Sequence, residues 1–122
     1  MKKIIYSPGE PSGIGPDLII KLSSSKLWEN LKIPIVSIGD PKLFIDRAAL
    51  LKKKIKIIEL ESLNEVSKNT KGLIQIIKVT KCSNTRPGKL FKSNAQYVLD
   101  NLTYSINQTM QNEGTALVTG PL

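Results

Sequence analysis

Short, largely apolar segments alternate along this chain with longer segments in which apolar residues have helical spacing. The apolar segments are residues 4–6, 33–38, 55–60, 73–79 and 115–119. Strands that are apolar on both sides are typical of parallel sheets buried beneath two layers of helices. The chain is therefore predicted to be an α/β protein, with a mostly parallel sheet and helices on both faces.

Three helices are predicted between these strands. The first begins at Pro16 and ends among the serines at 23–25, and Asp40 is the expected N-cap of the second, whose apolar face is Leu43, Phe44, Ala48 and Leu51. Ser93 is the expected cap of a long third helix. Its predicted apolar face, at intervals of three and four, consists of Ala95, Val98, Leu99, Leu102, Ile106 and Met110.

Residues 119–122, Thr-Gly-Pro-Leu, follow the last predicted strand and begin another strand-to-helix loop. No repeat, low-complexity tract or linker divides the chain. In a doubly covered sheet a further helix should pack on that last strand. Residues 1–122 are therefore predicted to form one incomplete α/β domain, truncated at Leu122.

The formal charge of +8 and the pI near 9.7 first suggest a nucleic-acid or membrane-surface partner. Only Arg47 and Arg86 among the 18 basic residues are arginine, and only 5% of the residues are aromatic. Phosphate and base recognition favours the arginine fork and stacking rings. No nucleic-acid partner is therefore predicted, although a basic nucleic-acid-binding module stays open as an alternative.

Cys82 is the only cysteine and histidine is absent, so this chain offers neither a disulfide nor a Cys/His metal site. No catalytic or metal-ligating residue is assigned, and Cys82 is interpreted as a small half-buried residue. The apolar run at residues 4–6 is too short for a signal peptide, and no stretch has the length of a membrane span. A cytoplasmic protein without a membrane partner is predicted.

The sequence Gly-Glu-Pro-Ser-Gly-Ile-Gly-Pro-Asp fills residues 9–17, directly after the first strand. We call residues 7–15 the glycine loop. Glycines let the backbone approach a ligand closely, and the following helix N-terminus offers free N–H groups. The loop nevertheless lacks the third glycine of the dinucleotide fingerprint and the Gly-Lys-Ser/Thr of a P-loop. Its spacing alone favours a plain tight turn over a ligand site.

Residues 9–17 closely resemble the opening motif of the 4-hydroxythreonine-4-phosphate dehydrogenase family, in which alanine is usual at the position of Ser12. Residues 116–122 resemble that family's strand and Thr-Gly-Pro turn, at a matching separation. Residues 46–48 and 87–90 are also similar, so the resemblance spans the chain. It implies the N-terminal part of an isopropylmalate-dehydrogenase-like fold. A more distant likeness, to the Gly-Asp-Gly-Ile-Gly-Pro loop of isocitrate and isopropylmalate dehydrogenases, implies that Gly13, Ile14 and Gly15 bind the cofactor.

The resemblance further implies a homodimeric oxidoreductase of pyridoxine biosynthesis that uses NAD or NADP. Its implied substrate is the phosphorylated amino acid 4-phosphooxy-L-threonine, oxidised to a β-keto acid that decarboxylates to 3-amino-2-oxopropyl phosphate. A divalent metal (zinc, magnesium or cobalt) is implied, held by residues outside this chain, where the catalytic residues are also expected. The fragment alone is expected to be inactive. A related dehydrogenase of a phosphorylated sugar acid, such as erythronate 4-phosphate, remains an alternative.

Overall fold

All five predicted strands are present and they form one sheet. They are β1 (Lys3–Ser7), β2 (Ile35–Ile38), β3 (Lys56–Leu60), β4 (Leu73–Ile77) and β5 (Thr115–Thr119). In the computed structural model, which describes residues 2–83 and 85–121, every strand pair is parallel and the order is β3-β4-β2-β1-β5. The predicted α/β class with a parallel sheet is confirmed.

Four helices connect the strands: α1 (Gly15–Ser23), α2 (Lys26–Asn30), α3 (Pro41–Leu50) and α4 (Ala95–Gln111). Short 3-10 turns occupy Leu63–Glu65 and Lys92–Asn94. The connections from β1 to β2 and from β2 to β3 lead toward one edge of the sheet. The connections from β3 to β4 and from β4 to β5 lead toward the opposite edge. Because parallel crossovers share one handedness, the two sets of connections cover opposite faces.

The core consists of one apolar cluster on each face of the sheet. The first joins α1, α2 and α3 to alternate strand residues and contains Tyr6, Ile19, Ile20, Trp28, Ile35, Leu43, Phe44, Ala48, Ile74, Ile76 and Tyr97. The second contains Ile5, Val36, Ile38, Leu60, Leu63, Val66 and Ile77, with Tyr104 of α4 packed against it. Burial on both faces explains why the central strands are largely apolar.

The helix starts follow the predicted local signals. Proline lies in the first turn of α1, and the Asp40 carboxylate accepts a hydrogen bond from Lys42 N at 3.1 Å, so Asp40 is the predicted N-cap of α3. Helix α2 was not predicted, because five residues show no periodicity. The burial of Trp28 in the first cluster holds this short helix in place.

Ser93 does not cap α4, contrary to the prediction. It lies inside the 3-10 turn, and the N-cap position belongs to Asn94. The buried Asn94 side chain instead accepts a hydrogen bond from Ser83 N at 2.8 Å, which ties the start of α4 to the segment after β4. A long-range contact therefore replaces the local cap.

The predicted apolar face of α4 is also not the face that packs on the sheet. The buried positions are Tyr97, Asn101 and Ser105, four residues apart, whereas most of the predicted stripe points outward, although its Val98 packs against the first cluster. Leu99, Ile106 and Met110 are exposed, Met110 by 80%. The small Ser105, whose hydroxyl donates to the Asn101 carbonyl at 2.7 Å, faces the protein instead. We call Leu99, Leu102, Ile106 and Met110 the outer stripe of α4.

Strand β5 is an edge strand with one bare face. Val118 pairs with Tyr6, so it faces the side of the first cluster, yet it is 46% exposed because none of the described helices covers β5 there. In the described part of the chain, no helix combines the length and apolarity that crossing a membrane requires. Leu122, the predicted truncation point, lies outside the described residues.

Candidate ligand site at the carboxyl edge of β1 and β5

The glycine loop after β1 and the Thr-Gly-Pro turn after β5 meet at the same edge of the sheet. Gly120 N donates to the Ser7 carbonyl at 2.8 Å, and Glu10 N donates to the Pro121 carbonyl at 3.4 Å. The register of β1 with β5 brings Ser7 opposite Thr119. The two sequence motifs, more than a hundred positions apart, thus form one surface.

Close backbone packing explains why glycine is needed on both sides of this contact. A Cβ atom at Gly15 or at Gly120 would overlap the Pro8 carbonyl oxygen, so that carbonyl lies between two glycines. Gly9 has φ +85°, and a Cβ there would overlap the Pro121 carbonyl oxygen. These glycines are therefore required by the packing of the loop itself.

The topological switch point of the described sheet lies one strand away, between β2 and β4. The chain leaves β2 toward α3 on the face of the first cluster, whereas it leaves β4 toward α4 on the opposite face. Loops that leave neighbouring strands in opposite directions open a crevice at their carboxyl ends, which is where open α/β sheets bind ligands.

The three predicted cofactor-binding residues lie together at the carboxyl edge of β1 but differ in accessibility. Ile14 is 57% exposed, Gly13 is half-buried and Gly15 is buried, with the Tyr6 hydroxyl donating to its carbonyl at 2.8 Å. Ile14 is the N-cap of α1 and contributes no side-chain hydrogen bond. The first N–H groups of the helix have no intrahelical partner, so they remain available to an acceptor.

Arg47 is the residue at this site whose position the sequence did not reveal. It projects from α3, is 2% exposed, and donates to the Pro11 carbonyl at 2.5 Å and the Gly13 carbonyl at 3.0 Å. It also forms an ion pair with Asp17 at 2.7 Å. Its choice over lysine in a lysine-rich chain was the only available signal, because each partner lies at least 30 positions away.

A cleft of about 660 Å³ lies beside the loop, between α3 and residues 81–91. A hydrogen bond of 2.8 Å from Gly88 N to the Ser12 carbonyl joins it to the glycine loop. Its wall carries four basic side chains on or near the surface, namely Lys42, Lys81, Arg86 and Lys89. One of them, Lys42, forms an ion pair with Asp46 at 2.8 Å.

Cys82 lies in this cleft as the predicted half-buried thiol. Burial raises the pKa of the Cys82 thiol to about 12, and the negative charges of Asp40 and Glu10 act in the same direction. The Asp40 carboxylate accepts a hydrogen bond from Cys82 N at 2.9 Å. The thiol therefore stays protonated at neutral pH in this environment, which disfavours a nucleophilic role.

Within residues 2–83 and 85–121, no three Asp, Glu or Cys side chains cluster closely enough to hold a metal ion. The described groups at the carboxyl edge include backbone donors, the exposed Ile14 side chain, the Glu10 carboxylate and nearby cations. The backbone donors and cations can bind and orient an acceptor or an anion. The site contains no histidine.

A parallel α/β sheet with a glycine-rich loop at its carboxyl edge, next to the switch point, defines a ligand-binding domain of the kind found in α/β enzymes. The family described as pyridoxal phosphate biosynthetic protein PdxA has a model that matches residues 30–122, and this chain belongs to that family. The match covers the Thr-Gly-Pro turn and begins after the glycine loop.

Full-length relatives extend the similarity to the loop. The chain is 31% identical over 122 residues to a 4-hydroxythreonine-4-phosphate dehydrogenase of Citrobacter koseri, covering 100% of this chain and 36% of the relative. It is 34% identical over 121 residues to the protein of the same name from Shewanella frigidimarina, covering 99% and 36%. The chain thus spans about a third of the length of these curated relatives.

Solved structures agree with the fold. A 4-hydroxythreonine-4-phosphate dehydrogenase from Klebsiella pneumoniae superimposes with a TM-score of 0.85 at 24% identity, covering 100% of this chain and 38% of that one. The enzyme of that name from Burkholderia phymatum gives 0.84 at 18% identity, with 100% and 37% covered. The whole described sheet is therefore shared with these proteins.

Proposed function

We propose that this chain is the N-terminal part of an NAD(P)-dependent 4-hydroxythreonine-4-phosphate dehydrogenase. The reaction oxidises the secondary hydroxyl of 4-phosphooxy-L-threonine to a β-keto acid, which loses carbon dioxide to give 3-amino-2-oxopropyl phosphate, in pyridoxine 5'-phosphate biosynthesis. The observation that carries the proposal is the direct contact of the glycine loop with the Thr-Gly-Pro turn in a chain of this family. The fragment itself is expected to be inactive.

In this proposal the chain contributes to the cofactor cleft. Gly13, Ile14 and Gly15 supply a close backbone approach, free N–H groups at the start of α1 and one exposed apolar side chain. Such N–H groups suit the phosphates or the carboxamide oxygen of NAD or NADP. The role of these three residues is thus to bind and orient the cofactor, and they take no part in proton transfer.

The divalent metal implied by the resemblance, whether zinc, magnesium or cobalt, does not fit the described residues, which contain no suitable cluster of ligands. We therefore assign its ligands, and the catalytic residues, to parts of the enzyme outside this chain. The homodimer also rests on the resemblance, whereas the cytoplasmic location is a prediction from the sequence pattern. No nucleic-acid or membrane partner is proposed.

Two alternative functions rest on different observations. A related dehydrogenase acting on a phosphorylated sugar acid such as erythronate 4-phosphate would use the same cofactor edge, so nothing in the described residues separates the two substrates. A basic nucleic-acid-binding module is favoured only by the cations along the cleft. Of these, Lys42 is paired with Asp46, and Lys89 lies 5.4 Å from the centre of the Phe91 ring.

The test is a turnover assay on the complete product of the gene. Each phosphorylated substrate is offered with NAD and with NADP, and reduced nicotinamide is measured by fluorescence. Turnover of 4-phosphooxy-L-threonine supports the proposal, and a preference for erythronate 4-phosphate supports the sugar-acid alternative. Absence of turnover, together with salt-sensitive DNA or RNA binding, would replace both with the nucleic-acid module.

A further inference from the structure

Arg47 does more than fill a buried position. Its two terminal nitrogens make three hydrogen bonds in different directions: Nη2 to the Pro11 carbonyl, and Nη1 to the Gly13 carbonyl and the Asp17 carboxylate. Burying a guanidinium is costly unless it is paired and its donors are used, and here Asp17 supplies the opposite charge. The arrangement ties α3, the glycine loop and the first turn of α1 into one unit.

These bonds fix the direction of a peptide group at the tip of the loop. In a trans peptide the carbonyl and the following N–H point in opposite directions. Arg47 holds the Gly13 carbonyl toward α3, so the N–H of Ile14 points away from α3. The described residues contain no acceptor for this N–H, and the Ile14 side chain beside it is exposed.

The neighbouring peptide serves as an internal comparison. Arg47 also holds the Pro11 carbonyl, so the N–H of Ser12 points away from the guanidinium as well. This N–H has a partner in the protein, because it donates to the Glu10 carboxylate at 3.2 Å. Of the two peptides that Arg47 orients, the one at Ile14 therefore presents an unused donor.

We propose that Arg47 is a positioning residue that aims the Ile14 N–H at an acceptor group of the nicotinamide dinucleotide, either a phosphate oxygen or the carboxamide oxygen. This inference rests on the proposed function. Without Arg47, the Gly13–Ile14 peptide is free to rotate and present its carbonyl to the ligand, which would replace a donor with a repelling acceptor. Glycine at position 13 imposes little barrier to that rotation.

Arginine is specifically required for this arrangement. The guanidinium reaches three acceptors because its nitrogens form a planar fork, whereas an ammonium is a single point of charge on a flexible stem. Arg47→Lys can keep the ion pair with Asp17 while losing one or both carbonyl bonds. The lysine variant therefore separates the effect of charge from the effect of peptide orientation.

The experiment uses the complete product of the gene and compares the wild type with Arg47→Lys, Arg47→Ala and the control Lys53→Ala, an exposed cation just beyond α3. Losing a hydrogen bond to a charged group corresponds to a change of about tenfold to a hundredfold. We expect the KM for the cofactor to rise by about that factor in Arg47→Ala and by less in Arg47→Lys. In both Arg47 variants, the KM for the phosphorylated substrate should stay within about threefold of wild type. In Lys53→Ala both KM values should stay within the same margin, which is well inside that tenfold effect.

A second readout is independent of turnover. Amide NMR of the Ile14 N–H should show a shift when NAD or NADP is added to the wild type, and this shift should be lost in Arg47→Lys. If Arg47→Ala does not fold, Arg47→Lys alone decides the outcome. A cofactor KM and an Ile14 shift that are unchanged in the lysine variant would overturn the inference.

Failure of the proposed function has a different signature. In that case the wild-type product itself shows neither cofactor-dependent turnover nor any shift of the Ile14 amide. A uniform loss of kcat with both KM values unchanged, in proportion to the amount of folded variant, would make Arg47 a purely structural residue and would also overturn the inference.

Discussion

Strands β4 and β5 have similarly apolar sequences but very different surroundings. Four of the five residues of β4 are buried, whereas none of the five residues of β5 is buried. Strand β4 has a neighbour on each side and packed residues on both faces, whereas β5 has one neighbour and one bare face. An apolar strand in a sequence therefore indicates that another protein surface packs on it. It does not indicate whether that surface belongs to the same stretch of chain.

Helix α4 also has an uncovered apolar surface, on the opposite face of the sheet. It carries a single charged residue, Asp100, in seventeen positions, and its outer stripe points away from the sheet. Solvent-facing helix surfaces are normally charged. Under the proposed function, the region of β4 is a complete core, whereas the region of α4 and β5 is where the rest of the enzyme packs. The relatives, of which this chain covers about 36%, have the length for it.

The largest expected effect tests this contrast directly. Ile76 of β4 is fully buried, so Ile76→Ala should lower the free energy of unfolding by about 2–5 kcal/mol. Val118→Ala on β5 should lower the free energy of unfolding by less than about 1 kcal/mol in the same 122-residue chain, because truncating a half-exposed side chain removes few buried contacts. Urea denaturation followed by circular dichroism measures both. Equal costs for the two variants would remove the distinction between the regions.

Two of the three glycines of the loop, Gly13 and Gly15, offer a second matched pair. A Cβ at Gly15 overlaps the Pro8 carbonyl, so Gly15→Ala should cost about 1–3 kcal/mol through overpacking. At Gly13 the nearest atom to a Cβ is the Glu10 carbonyl oxygen at 3.3 Å, and Gly13→Ala should cost less than about 1 kcal/mol by the same comparison. Thermal unfolding measures the stability of both variants. A larger loss of stability in Gly13→Ala than in Gly15→Ala would contradict the packing of the loop.

Replacing Ser12 is expected to raise the stability of the chain slightly. Its hydroxyl is buried without a hydrogen-bond partner, at a position where the resembled family usually has alanine. An unsatisfied buried polar group costs about 1–3 kcal/mol, so Ser12→Ala should raise the free energy of unfolding by about 1 kcal/mol. A lower midpoint in urea for this variant would show that the hydroxyl has a partner.

The smallest effect on stability is expected at the outer stripe. Replacing Leu99 and Ile106 with lysine should change the unfolding free energy of the 122-residue chain by less than about 0.5 kcal/mol per site, because both side chains are exposed. It should also reduce self-association, since a contiguous apolar surface is removed. Light scattering gives the second result, and a strong destabilisation would mean that the stripe already packs within this chain.

The sequence predicted the elements whose signals are local. The five strands followed from apolar runs, and the starts of α1 and α3 followed from proline and from the Asp40 cap. The sequence could not reveal the ion pair of Arg47 with Asp17, which joins residues 30 positions apart. The orientation of α4 was predicted wrongly, because periodicity identifies an apolar face and not the protein surface that covers it.

The cofactor KM of Gly13→Val in the complete gene product tests the central claim most directly, because valine projects from the loop tip, where a Cβ comes no closer than 3.3 Å to the Glu10 carbonyl oxygen and needs only a slight shift of the loop. We predict a rise of about tenfold or more, equivalent to about 1.4 kcal/mol of lost binding, with the thermal midpoint nearly unchanged. An unchanged KM for both NAD and NADP would exclude the glycine loop from the cofactor site and contradict the account.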